Sequence, residues 1–75
     1  MLKQLGRVAR QSRLSAQRTQ IHVATAAGVS HAVISRLETG ERWPEDPDRV
    51  IAGYVAECDI SERELWLRAA EELGD

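Results

Sequence analysis

A chain of 75 residues has room for one domain, near the lower size at which a core holds without disulfides or metals. With 43% apolar and 29% charged residues it reads as a globule, not a disordered or fibrous chain. No apolar run reaches the roughly 18 residues that span a bilayer, and Met1-Leu2-Lys3-Gln4 lacks a signal peptide's apolar core. The single cysteine, Cys58, cannot close an internal disulfide, and no His/Cys cluster has metal-ligand spacing. A reducing cytosol is therefore expected, with no metal, no cofactor and no membrane partner.

The net charge of -2 runs against binding a polyanion, but the average hides a division. Residues 1–42 carry seven basic side chains and two acidic ones, a net +5, whereas residues 43–75 carry three basic and ten acidic, a net -7. An anionic partner is expected at the first half. Chance clustering of solvated charge is the bland alternative.

At 100° per residue, Leu2, Leu5, Val8, Ala9 and Ser12 fall on one side of a first helix, Leu2 to about Gln17, with Lys3, Arg7 and Arg10 opposite. Leu14 lies off that stripe, so either the helix ends early or Leu14 meets another element; Arg13 lies close to the stripe, placed to pair with Glu38 as an internal clamp in preference to touching a phosphate. Thr19 caps a short second helix, Gln20 to about Ala26, which Gly28 ends by taking a left-handed conformation. Ser30 caps a third helix, His31 to about Thr39, which Gly40 stops. Two prolines, Pro44 and Pro47, mark a connector. A fourth helix, Pro47 to Cys58, is capped by Asp46 and places Val50, Ile51, Tyr54, Val55 and Cys58 on its core stripe. Ser61 to Glu64 has the capping-box pattern and opens a fifth helix to Leu73, lined by Leu65, Trp66, Ala69 and Leu73.

The third helix separates its residues most cleanly. Val33, Ile34 and Leu37 take one side, and His31, Ala32, Ser35, Arg36 and Thr39 take the other. One face can pack while the opposite one presents short, hydrogen-bonding side chains. A helix built this way fits a major groove about 12 Å wide, where base edges display donors and acceptors.

Thr19-Gln20, Val23-Ala24, Ala27-Gly28-Val29-Ser30, Ile34-Ser35 and Glu38 before Gly40 resemble the helix-turn-helix family of lambda repressor and Cro-like proteins. Leu5-Gly6, Arg10 and Arg13 match the family's first helix, and the resemblance covers about residues 5–65. It implies an all-α, five-helix lambda-repressor-like DNA-binding domain over 1–75. The helix-turn-helix motif would occupy 20–39 and an acidic pair of helices 47–73. Gln17 and Arg18 stand where the family commonly has glycine and leucine, so a more helical first connection is expected. Ile21 occupies a usually polar position.

The resemblance implies a sequence-specific double-stranded DNA-binding transcription regulator, a repressor of phage-like or plasmid-like kind, cytoplasmic and nucleoid-associated. Its implied DNA contacts are Gln20 to the backbone, His31, Ala32 and Ser35 to bases, Thr39 beside them, and Ser30 and Arg42 to phosphate. Arg36 suits guanine O6 and N7, a contact worth about 1–3 kcal/mol of discrimination. Arg10 is the favoured phosphate contact on the first helix. For Gln20, Arg36 and His31 an ordinary surface role, with Arg36 paired to Glu41, is the alternative. The family's dimeric habit implies a homodimer through helices 4 and 5, where Leu67, Trp43 and Trp66 supply surface; completing a small core is the other reading of the tryptophans. A protein-interaction adaptor or antitoxin-like module, binding a protein through the acidic half, is the rival function. No paired carboxylates, thiols or phosphate loop accompany His22 and His31, so an enzyme is not expected.

Overall fold

The apolar stripe of the first segment sinks Leu5, Val8 and Ala9 into the core, with relative exposures of 2–3%. They belong to α1 (Leu2–Ser15), the first of five helices in a computed structural model that describes residues 1–74. α2 (Gln20–Ala27), α3 (His31–Glu38), α4 (Pro47–Glu57) and α5 (Glu62–Leu73) complete the all-α architecture, and no strand occurs among the described residues. α2 lies along α4, while α1 packs on α5 and α3. The core closes with Val23 and Ala24 from α2, Ile34 and Leu37 from α3, Val50, Ile51 and Tyr54 from α4, and Leu65 and Ala69 from α5. Cys58 and Ile60 fill the α4–α5 connection.

The turn between α2 and α3 is built by Gly28, at φ 71° and ψ 34°. Its amide donates to the Thr25 carbonyl at 3.2 Å and the Val29 amide to the Ala24 carbonyl at 3.0 Å. This is a Schellman closure, whose left-handed residue is glycine because a Cβ is penalised there. The start of α2 is fixed with equal care. Thr19 Oγ1 accepts from the His22 amide at 3.1 Å, and His22 Nδ1 accepts from the Thr19 amide at 3.0 Å. A histidine thus completes the reciprocal box that glutamate or glutamine usually completes.

The first connection differs from expectation. α1 ends at Ser15, and Gln17 adopts φ 57°. The Gln17 amide bonds to the Leu14 carbonyl and the Arg18 amide to the Arg13 carbonyl, each at 3.0 Å. The same closure therefore forms with glutamine in the glycine's conformation, and the connection is not more helical. Arg18 is held there by donating to the Glu57 carbonyl at 3.3 Å.

Other departures have local causes. Ser30 stands at the α3 N-cap without a side-chain capping bond. Ser61 caps α5 by accepting from the Glu64 amide at 3.0 Å, but the Glu64 carboxylate does not reach back. It accepts from Arg68 one turn on, at 2.6 Å. Val55 is 38% exposed because it lies at the edge of the α4 stripe, and Leu73 is 51% exposed because the last turn of α5 runs past the core. Leu14 is exposed although α1 runs on past it to Ser15, and Ile21 is exposed on α2.

α1 and α3 approach so closely at Gly6 that a methyl group there would overlap the Leu37 carbonyl oxygen. Urea unfolding is expected to show Gly6→Ala less stable by about 1–3 kcal/mol, the cost of overpacking against backbone that cannot yield. Gln17→Gly is expected to move the other way, by up to about 1 kcal/mol, since the left-handed conformation then carries no Cβ penalty.

Candidate nucleic-acid interface

Arg13 and Glu38 both face inward, as their places beside apolar stripes demand. The guanidinium meets the carboxylate through two parallel bonds, Nε to Oε2 and Nη2 to Oε1, each 2.8 Å, with side-chain exposures of 10% and 1%. Arg13 Nη1 also donates to the Arg18 carbonyl at 2.9 Å, tying α1 to the chain that leads into α2. Tyr54 on α4 donates its hydroxyl to Glu38 Oε2 at 2.6 Å, and Gln20 donates Nε2 to Glu38 Oε1 at 3.1 Å. One carboxylate thus joins four helices.

Burial pushes the Glu38 carboxyl upward, but the hydrogen bonds from Arg13, Tyr54 and Gln20 prevail and hold it below the ordinary glutamate range. The Glu38 bonds raise the Arg13 guanidinium against the opposing effect of burial. Burial first, and donation to Glu38 second, push the Tyr54 phenol far above its usual value. No buried side-chain nitrogen or oxygen is left without a partner among the described residues.

The network ends at the surface. Gln20, half-buried, uses its amide nitrogen on Glu38 and its Oε1 on His31 Nε2, 2.6 Å away. The first residue of α2 and the first residue of α3 are thereby clamped together, which fixes how α3 projects. On the outer side of α3, His31, Ala32, Arg36 and Thr39 are exposed and Ser35 is half-buried, while Ile34 and Leu37 are buried on the inner side. The Thr39 hydroxyl is occupied at the end of the helix, near the Ser35 and Arg36 carbonyls at 3.0 and 3.3 Å.

Ser30, Arg36 and Arg42 line one groove of about 370 Å³ beside α3, together with Val33, Trp43 and Arg49. The Glu41 amide bonds to the Arg36 carbonyl at 2.9 Å, which folds the loop back along the helix end and sets Arg42 at the groove. Arg36 does not pair with Glu41. Trp43 stacks on Trp66 of α5, ring centroids 6.5 Å apart and planes at 28°, so the loop is braced from below. Arg10 is exposed on α1 and stands apart from this groove.

The family model described as a helix-turn-helix domain matches residues 4–66. The chain belongs to the helix-turn-helix domain family. No curated protein and no solved structure matches it. In helix-turn-helix domains in general, the second helix of the motif enters the major groove. The family is a DNA-binding one. No helix is long and apolar enough to cross a membrane, and no group of side chains is placed to hold a metal ion, both among the described residues.

Two features of this helix-turn-helix escaped the sequence. The His31–Gln20 bond joins residues eleven apart on different helices, and nothing in the periodicity of either announces it. Arg49 belongs by sequence to the acidic half, yet the groove borders it, and its partner Asp46 lies 3.6 Å away with both side chains more than half exposed. Its place in the first turn of α4, directly after the connector, was the available signal.

Removing Glu38 leaves Arg13 buried without its counter-charge, so Glu38→Ala is expected to cost about 3–5 kcal/mol in denaturant unfolding. A carboxyl held below its ordinary value of about 4.3 stabilises the fold above that pH and loses the contribution as pH falls through the folded-state value. The melting temperature of the wild type is therefore expected to fall steeply below about pH 4.3. Glu38→Gln should start lower and decline less steeply over the same range.

Proposed function

We propose that the protein is a sequence-specific regulator that binds double-stranded DNA and reads the major groove with the face of residues 31–39, repressing transcription by occupying its site. The observation that carries this is the division of α3. His31, Ala32 and Arg36 stand open on one side, while Ile34 and Leu37 anchor the other in the core. Arg36 reaches guanine O6 and N7, Ala32 meets a thymine methyl, and Ser35 takes bases or phosphate. Gln20 braces the helix and faces the backbone. Ser30, Arg42 and Arg49, around the same groove, meet phosphate on one flank, with Arg10 on α1 as a further phosphate contact. Thr39 contributes through the acceptor side of its hydroxyl.

Charge supports the same assignment. In the first half Arg7, Arg13 and Arg18 are paired with Glu72, Glu38 and Glu57, whereas Lys3, Arg10, Arg36 and Arg42 make no ion pair among the described residues. The unpaired cations are the ones available to displace counterions from a duplex. A single domain reads few bases, so two copies act together on half-sites about 34–36 Å apart. The contact between them runs through α4 and α5, where Leu67 is 50% exposed and Leu73 51%.

Selection from random duplexes is expected to enrich a two-fold motif, with affinity falling steeply as salt rises. Arg36→Ala should relax one position of the motif by about 1–3 kcal/mol. Arg10→Ala should weaken all sequences alike and reduce the salt slope by about one. Leu67→Glu should yield monomers in sedimentation and weaken the paired site more than a single half-site. Absence of any enriched motif, with no binding at low salt, would overturn the reading in favour of a protein partner at the acidic half.

A further inference from the structure

Every hydrogen bond around Glu38 points the same way. The carboxylate is an ion-paired acceptor, so the Gln20 atom 3.1 Å from it must be the amide nitrogen. The Gln20 atom facing His31 is then the carbonyl oxygen, a pure acceptor, 2.6 Å from His31 Nε2. A bond of that length between an acceptor and a ring nitrogen requires a proton on the nitrogen. His31 is thereby fixed as the Nε2–H tautomer, and in the neutral ring Nδ1 carries the lone pair. Nδ1 makes no hydrogen bond among the described residues, and His31 is exposed at the start of α3.

We propose that His31 reads an exocyclic amino group, the N6 of adenine or the N4 of cytosine, through its Nδ1 lone pair, and that Glu38 and Gln20 set this polarity from inside the fold. The inference rests on the DNA-binding reading above and gives its first base contact a defined chemistry. An unconstrained imidazole can present either a donor or an acceptor; here the acceptor is chosen before DNA arrives. Guanine N7 and O6, and thymine O4, offer only lone pairs in the major groove and are disfavoured opposite this nitrogen. Gln20 and Glu38 act as positioning residues, since they touch the ring or its partner and not the base. Arg36 presents only donors, so the two side chains would recognise opposite kinds of base edge.

Two measurements test the proposal. Long-range proton–nitrogen NMR spectra of the free protein at pH 8, above the range in which imidazoles ordinarily titrate, should show His31 protonated at Nε2 and bare at Nδ1. A ring protonated at Nδ1 overturns the proposal whatever DNA the protein binds. The second uses the enriched duplex with single base atoms removed. Purine in place of adenine, or 2-pyrimidinone in place of cytosine, deletes one amino group, and 7-deazapurines delete one acceptor.

At one position, loss of the amino group should weaken the wild type roughly three- to tenfold and leave His31→Ala unaffected, while 7-deaza substitution shows no such coupling to His31. Coupling of His31 to an N7 atom, or to no base atom, overturns the proposal and leaves the DNA-binding reading standing. Failure to enrich any duplex removes that reading and this one with it. His31 is exposed and loses one surface hydrogen bond, so His31→Ala should melt only slightly below the wild type. Glu38→Gln, where it folds, releases the Gln20 amide to turn over and should reduce the coupling to the amino group.

Discussion

The Glu38 carboxylate is the point on which this small fold turns. A domain of this size has little apolar area with which to specify one arrangement of helices, and hydrophobic contact alone tolerates sliding. Four directional bonds to one buried ion do not. Arg13 brings α1, Tyr54 brings α4, Gln20 brings α2, and Glu38 itself belongs to α3. Such an ion is costly to bury, and it is kept at no net loss only because each lone pair is used and its charge is matched. The helix that carries the candidate reading face is therefore held at its C-terminal end by the core and at its N-terminal end, through Gln20 and His31, by the same carboxylate.

Much of this was legible in the residues. The period of Leu5, Val8 and Ala9, the break at Gly28 and the caps at Thr19, Asp46 and Ser61 place five helices, because each signal acts over a single turn. Even the Arg13–Glu38 clamp could be read, since charged residues beside apolar stripes must meet opposite charge when they are buried. What could not be read depends on three-dimensional juxtaposition. The Tyr54 hydroxyl was hidden by the usefulness of its ring to the α4 stripe, and the Gln20–His31 bond follows from the angle between two helices. Gln17 shows the complementary failure: its residue type favours a helix, but the closing bonds to Leu14 and Arg13 impose a left-handed turn. The match to a helix-turn-helix domain over residues 4–66 fixes the family.

The acidic half has a structural part to play before any partner is considered. Glu72 meets Arg7 at 3.4 Å and Glu57 meets Arg18 at 3.8 Å, so acids from α5 and α4 neutralise arginines on α1 and in the first connection. These exposed pairs add little to stability. Their effect is on the field, because in the first half they leave Lys3, Arg10, Arg36 and Arg42 as the side chains whose positive charge is uncompensated among the described residues. A molecule of net negative charge can then keep positive side chains free in its first half while the remaining acids discourage a polyanion from settling on the second.

The stack of Trp43 on Trp66 has an optical consequence. These are the only two tryptophans of the chain, and together they span the junction between the Arg42 loop and α5. Tryptophan emission from the folded protein thus arises from one stacked pair of indoles, not from scattered sites averaged over the molecule. Any event that shifts the loop against α5 alters the separation of the pair, and the molecule reports it without a label.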